Sequence, residues 1–272
     1  LLVSDDLYGG TYRLLVDVYS KRYGIEFDFV DFSDLDAVKR AIKGNTKGFF
    51  LETPTNPMMH VSDIRALSDL AHDAGAILIV DNTFLTCYFQ RPLDLGADVV
   101  VYSGTKYLCG HNDVTCGFVV IKDETLLERS FMDYMSEGGA LAPFEAWLML
   151  RSLKTLGVRL RQQERSAKAI CAFLKSHPHV TDVFYVGDPE HEGYELSQRQ
   201  TTGSGAMISF NVDSNERLLE VLKRVELITF AESLGGAESL ITYPLVQTHG
   251  SIPAQIRDEL GIGERLLRLS VG

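Results

Sequence analysis

The stretch Ala97-Asp98-Val99-Val100-Val101-Tyr102-Ser103-Gly104-Thr105-Lys106-Tyr107 decides how this chain reads. A β-branched run ends in Ser-Gly-Thr and then delivers a single lysine. Short apolar runs bounded by Gly and polar residues read as buried parallel strands. Functional groups of open α/β sheets sit just past the carboxyl ends of such strands. A lysine there, behind two hydroxyl residues, suits a Schiff base to a cofactor aldehyde while the hydroxyls hold a phosphate. Alone, the segment also reads as a solvated loop lysine, so its surroundings must decide.

Outward from that strand the first half alternates strand and helix patterns, as βα units do. Lys47-Gly48-Phe49-Phe50-Leu51 and Ile77-Leu78-Ile79-Val80 predict buried strands, the second ending at Asp81, and Phe118–Ile121 predicts another. Between the first two, Ser62 is the expected helix cap, with Ile64, Leu67, Leu70 and Ala71 on one face and a stop near Gly75. A single long helical pattern runs from Glu145 to about Ser176. Beyond it, Val183–Val186 and Ala206–Phe210 read as strands and Glu216–Val225 as an amphipathic helix. The expected class is α/β: a large, mixed, mostly parallel sheet domain over residues 1–145, then a connecting helix and smaller α+β domain over 146–272. Leu1-Leu2-Val3-Ser4 and Arg268–Gly272 both look like strand interiors, so both ends read as cut.

Composition narrows the function. The 272 residues carry a formal charge of −11 and 45% hydrophobic residues. That is ordinary for a globular protein and the wrong sign for a nucleic-acid partner, whose phosphates demand clustered Lys and Arg. No apolar run has the length of a membrane span, and the start lacks a basic, then apolar, leader. The four cysteines, Cys87, Cys109, Cys116 and Cys171, show no CxxC spacing and read as free thiols of a reducing compartment, with the cytoplasm the expected location. His111 lies between two of them without a second ligand pair, so no metal site is expected.

Asn56, Asp81 and Lys106 follow three successive strand patterns. A carboxylate at the end of an aliphatic run stays ionised only beside a cation or hydrogen-bond donor, and a protonated pyridine nitrogen is such a partner. Tyr8-Gly9-Gly10-Thr11 sets an aromatic ring on a flexible turn, suited to stacking on a planar cofactor. Pro54 and Pro57 bracket Asn56 and restrict where its amide can point. Each of these also has a plain structural reading, as strand-end cap, surface tyrosine and turn asparagine.

Together these segments resemble the Cys/Met-metabolism family of pyridoxal-phosphate enzymes. The match runs through Tyr8–Thr11, Glu52–Pro57, Val80–Phe84, Ser103–Asp113, Glu232–Leu240 and Arg268–Gly272, in order. The family includes cystathionine γ-synthase, the γ- and β-lyases and methionine γ-lyase. The resemblance implies the type I pyridoxal-phosphate transferase fold and pyridoxal 5'-phosphate as cofactor. It makes Lys106 the lysine bonded to the cofactor and, with Tyr8, the catalytic pair. Asp81 becomes the partner of the ring nitrogen, Tyr8 the stacking ring, and Ser103 and Thr105 the phosphate ligands. Asn56 joins the cofactor contacts and, with Arg268, Ser233 and Glu232, the substrate contacts. A planar guanidinium suits an α-carboxylate.

Gly10 stands where methionine γ-lyases tend to carry a cysteine. Glu232 matches the synthase and γ-lyase pattern, in which an acid meets the amino group of a longer substrate. Tyr8–Leu14 and Gly110–Asp113 lean toward the biosynthetic members. The resemblance therefore implies a γ-synthase acting on an O-acylhomoserine and cysteine; γ-lyase, β-lyase, methionine γ-lyase and a catalytically silent homologue are the alternatives. It implies amino-acid substrates and a homo-oligomer, a dimer of dimers with an active site shared between subunits. The family's cross-subunit Tyr/Arg pair and glycine phosphate turn precede Tyr8 and are absent here. Two hydroxyls compensate a dianion poorly. This chain is therefore expected to bind the cofactor weakly, and tight binding in a spectroscopic titration would overturn that expectation.

Overall fold

Aliphatic runs too short for helices become strands, and their burial on both faces sets the sheet. In the computed structural model, which describes residues 1–250 and 252–272, β1 (Leu2–Ser4), β2 (Asp28–Val30), β3 (Gly48–Glu52), β4 (Ile77–Asp81), β5 (Val99–Ser103) and β6 (Gly117–Ile121) form one sheet. Its order is β2-β1-β3-β4-β5-β6. The first five run parallel, and β6 closes the edge antiparallel to β5. The chain steps from β1 outward to β2 and then returns to β3 on the other side. That reversal opens a crevice at the carboxyl ends of β1 and β3.

The helix Ile64–Asp73 covers this sheet with the expected face: Ile64, Leu67 and Ala71 pack with Leu2, Phe49, Leu51, Leu78, Val80 and Val100. Its cap is Asp63, not Ser62. The Asp63 carboxylate accepts from the Ala66 amide at 3.0 Å, whereas the Ser62 carbonyl is taken by the Gln200 side chain. A carboxylate at that position also complements the positive end of the helix.

The expected helix from Glu145 to Ser176 is two, Pro143–Leu153 and Leu156–Ser176. Thr155 leaves helical geometry and turns its hydroxyl back to the Ser152 carbonyl at 3.1 Å. Arg159 then spreads its guanidinium over the carbonyls of Ser152, Tyr107 and Leu108. Apolar periodicity continues through the break, which is why it reads as one helix.

The second sheet has the order β7-β8-β11-β10-β9, from β7 (Val180–Phe184), β8 (Met207–Val212), β9 (Thr229–Phe230), β10 (Leu240–Thr242) and β11 (Leu266–Ser270). β7 starts three residues before the expected Val183. It is antiparallel except where β10 meets β9. Its core joins Ile208, Phe210, Leu267 and Leu269 to Leu160, Ala167 and Leu174, and takes in Tyr107, Leu108 and Cys109 from the other sheet's side. The segment after Lys106 is thus packed into the second core. Residue 145 falls inside the helix Pro143–Leu153; we propose that the two lobes divide along this stretch.

Replacing Asp63 with Ala removes the cap and costs about 1 kcal/mol, while Ser62→Ala costs clearly less. Urea unfolding of the two variants checks this, and an equal loss for both would refute the assignment.

Candidate active site

β3, β4 and β5 each deliver a functional side chain at the carboxyl end. β3 ends at Glu52 and β4 at Asp81, directly paired across the sheet, and β5 ends at Ser103. Past β5 the chain folds into a tight turn: the Lys106 amide donates to the Ser103 carbonyl at 3.2 Å, and the Lys106 carbonyl accepts from the Gly110 amide at 2.7 Å. From the second sheet, Arg268 on β11 and the loop Glu232-Ser233-Leu234 close over these ends. Tyr8, Asn56, Asp81, Ser103, Lys106, Glu232, Ser233 and Arg268 all line one cavity of about 630 Å³.

Lys106 Nζ donates to Ser233 Oγ at 3.0 Å. Burial first, and then the nearby Arg268 guanidinium, pull its amine below the ordinary lysine pKa, which favours the free base. Ser233 holds a positive φ of 82°, costly for a residue with a side chain, by about 1–3 kcal/mol. Its backbone is fixed there by the next residues: Gly235, also left-handed, lies so close to the turn after Lys106 that a Cβ would stand 2.6 Å from the Tyr107 nitrogen.

Asp81 is a paired but unneutralised acid. Its Oδ1 accepts from the Thr83 amide at 3.0 Å and the Thr83 hydroxyl at 2.6 Å. The Thr83 hydroxyl in turn accepts from the Ser103 amide at 2.8 Å, so the ends of β4 and β5 are tied through one side chain. Burial raises the Asp81 pKa against these hydrogen bonds. Glu52 is raised further, by burial and then by Asp81 itself, and its Oε2 accepts from the Tyr8 amide at 3.1 Å. Behind them Asp6 is buried, with Oδ1 unpartnered and its pKa raised to about 6 by burial.

Arg268 is 1% exposed. Its Nη1 donates to Asn56 Oδ1 at 2.8 Å, and its Nη2 donates to the Ser233 carbonyl at 3.1 Å and to Thr242 Oγ1 at 3.2 Å. Its Nε has no partner, and among the described residues no carboxylate comes within ion-pair distance of it. Burial lowers its pKa to about 10. A buried guanidinium with a free N–H calls for an anion.

One expectation changes. Tyr8 is not on a flexible turn: it precedes the helix Gly9–Arg13, and the residue is 45% exposed and lines the cavity. Gly9 serves close approach instead, since a Cβ there would stand 2.3 Å from the Thr248 carbonyl oxygen. Thr105 is near the cavity but outside its lining. Its hydroxyl donates to the Cys116 carbonyl at 3.2 Å and accepts from the Cys116 amide at 3.0 Å. Sequence reasoning missed Glu52 and Thr83. Glu52 ends a strand beside Asp81, which is the signal that was available; Thr83 carries only the short Asp-Asn-Thr turn.

A lysine whose burial favours its free base, two buried acids at neighbouring strand ends, an exposed tyrosine and a guanidinium without a counter-ion share one cavity, and together they suit a pyridoxal-phosphate enzyme. The chain belongs to the family of Cys/Met metabolism PLP-dependent enzymes, whose model matches residues 1–272. It is 48% identical to cystathionine gamma-lyase of Bacillus subtilis (strain 168), covering 100% of this chain and 72% of that one. It is 47% identical to the cystathionine gamma-synthase/O-acetylhomoserine (thiol)-lyase of the same organism, covering 100% and 68%. Among solved structures, cystathionine gamma-lyase from Lactobacillus plantarum complexed with L-serine superposes with a TM-score of 0.96 at 44% identity, over 100% of this chain and 71% of that one. The α/β fold and the enzymatic, pyridoxal-phosphate-dependent nature of the chain follow.

Asp81 carries a stability cost that the pH dependence exposes. With its folded pKa above the ordinary 3.8, the penalty is absent below that value and grows as pH rises through the folded pKa. In the cofactor-free chain, Asp81→Asn should raise Tm by a few degrees at pH 8 and by progressively less toward pH 4. Differential scanning calorimetry checks this; a lowered Tm at pH 8 would contradict it.

Proposed function

We propose that this chain makes carbon–sulfur bonds at the γ-carbon of amino acids, joining an O-acylhomoserine to cysteine as a cystathionine γ-synthase does. The observation that carries the reading is the Lys106 amine, 3.0 Å from Ser233 Oγ and sharing one cavity with Asp81 and the anion-seeking Arg268. The residues fit pyridoxal phosphate. Lys106 would bond its aldehyde, Asp81 Oδ2 would face its ring nitrogen, and Tyr8 would cover its ring. Asn56 and the Ser103 and Thr105 hydroxyls would meet its oxygens. Bound there, the cofactor supplies the electron sink that makes a Cα proton acidic.

The protein's own part is proton transfer and orientation. Lys106, whose burial favours the free base, accepts the Cα proton; its flexible stem lets the same Nζ reach Cβ for the second abstraction that a γ-reaction needs. Ser233 Oγ accepts a hydrogen bond from Nζ and keeps it aimed between transfers. Arg268, its two Nη atoms anchored by Asn56, Ser233 and Thr242, presents Nε to the substrate α-carboxylate. Glu232, exposed at the rim, faces the amino group of a longer substrate. Cystathionine γ-lyase is the second reading, supported by a relative at 48% identity against 47% for the synthase. A homo-oligomer with an active site shared between subunits belongs to the same proposal.

The test is product analysis of the cofactor-loaded chain, with an O-acylhomoserine plus cysteine and with cystathionine alone. Cystathionine formation in the first reaction supports the synthase; 2-oxo acid and ammonia from the second alone supports the lyase. Lys106→Ala should lower either rate at least about a hundredfold, and an unchanged rate would remove the catalytic reading. Sedimentation of the same sample reads the oligomer, and a monomer would remove that part.

A further inference from the structure

His249 is 0% exposed, lies outside the catalytic residues, and has both ring nitrogens engaged. Nε2 is 3.0 Å from the carbonyl oxygen of Asn56, and Nδ1 is 2.7 Å from Thr248 Oγ1. A carbonyl can only accept, so Nε2 carries the proton and Nδ1 is left to accept from the Thr248 hydroxyl. Burial, and then the nearby Arg268 guanidinium, bring the His249 pKa down to about 4, against the pull of the Asn56 and Leu7 carbonyls. The ring is therefore neutral at pH 7.

The position of this ring matters more than its charge. Asn56 is held twice: its backbone carbonyl by His249, and its side-chain Oδ1 by Arg268 Nη1 at 2.8 Å. Thr248, on the other side of the ring, lines the cavity, and its carbonyl is the atom that crowds Gly9 beside Tyr8. One imidazole thus spans the loop after β3, the loop after β10 and the turn that carries the stacking ring. Nothing in a sequence places a histidine 193 residues from its partner.

We propose that His249 is a positioning residue for substrate: its Nε2–H fixes the Asn56 backbone, and Asn56 in turn fixes the Arg268 fork that receives the α-carboxylate. This rests on the carboxylate role given to Arg268 above. Because the carboxylate is held alike before and during the reaction, losing the alignment weakens binding in both states and raises KM with little change in kcat. General loosening of the fold would instead lower kcat and Tm together.

The test uses the cofactor-loaded chain with L-cystathionine or an O-acylhomoserine, whichever the wild type turns over. His249→Phe keeps a planar aromatic ring, somewhat larger, and removes both hydrogen bonds; KM should rise about tenfold with kcat within about threefold. His249→Gln retains an N–H able to reach the Asn56 carbonyl and should recover most of that loss. An unchanged KM in the Phe variant, or a Gln variant no better than Phe, would overturn the proposal. A second readout needs no turnover: ¹⁵N NMR of the cofactor-free chain should show His249 protonated at Nε2 alone between pH 6 and 8. A doubly protonated ring, or one protonated at Nδ1, would overturn it. If the wild type turns over neither substrate, the functional proposal fails, and the NMR result still decides the tautomer on which His249 depends.

Discussion

A guanidinium buried without a counter-ion is the constraint around which the two sheets are assembled. Arg268 sits in the middle of the second sheet, yet its best hydrogen bond goes to Asn56, in a loop of the first. A cation so placed cannot shed its charge at neutral pH, and each of its N–H groups must find an acceptor or pay for desolvation. Asn56 Oδ1, the Ser233 carbonyl and Thr242 Oγ1 take three of the four Nη hydrogens, leaving Nε–H and one Nη1 hydrogen over. The leftover donors are what let the residue recognise an anion.

The acids follow the same logic with the opposite sign. Asp6, Glu52 and Asp81 gather at the ends of β1, β3 and β4 because parallel strands align their carboxyl ends. Each is raised in pKa by burial, and Glu52 and Asp81 oppose each other across one register pair. A fold selected only for stability would not collect three carboxyl groups in one buried, low-dielectric region. Such clustering is how active sites differ from ordinary interiors, since a bound cationic group converts the penalty into affinity. The left-handed Ser233 adds backbone strain to the same site.

Most of the large sheet was legible, because its strands are short aliphatic runs that end in Gly or polar residues. Asp81 and Lys106 were legible for the same reason, as polar residues at the ends of such runs. The helix cap moved from Ser62 to Asp63 because both residues can cap and only the path of the chain chooses between them. The break at Thr155 was hidden by apolar periodicity that runs straight through it. Thr105 entered as a phosphate ligand only through the family resemblance, and its meeting with the Cys116 backbone is a tertiary contact that no motif announces.

The sequence by itself determined the α/β class, the family, the cofactor and the order in which the functional groups follow the strands. Those properties are local: each depends on a motif and the few residues beside it. Only the tertiary structure decided which groups meet. The contacts Lys106–Ser233, Asn56–Arg268 and Asn56–His249 join residues more than a hundred positions apart. They arise because burying two hydrophobic cores against each other forces the polar ends of both sheets into one cavity, where each charge must be met by whatever the other sheet presents.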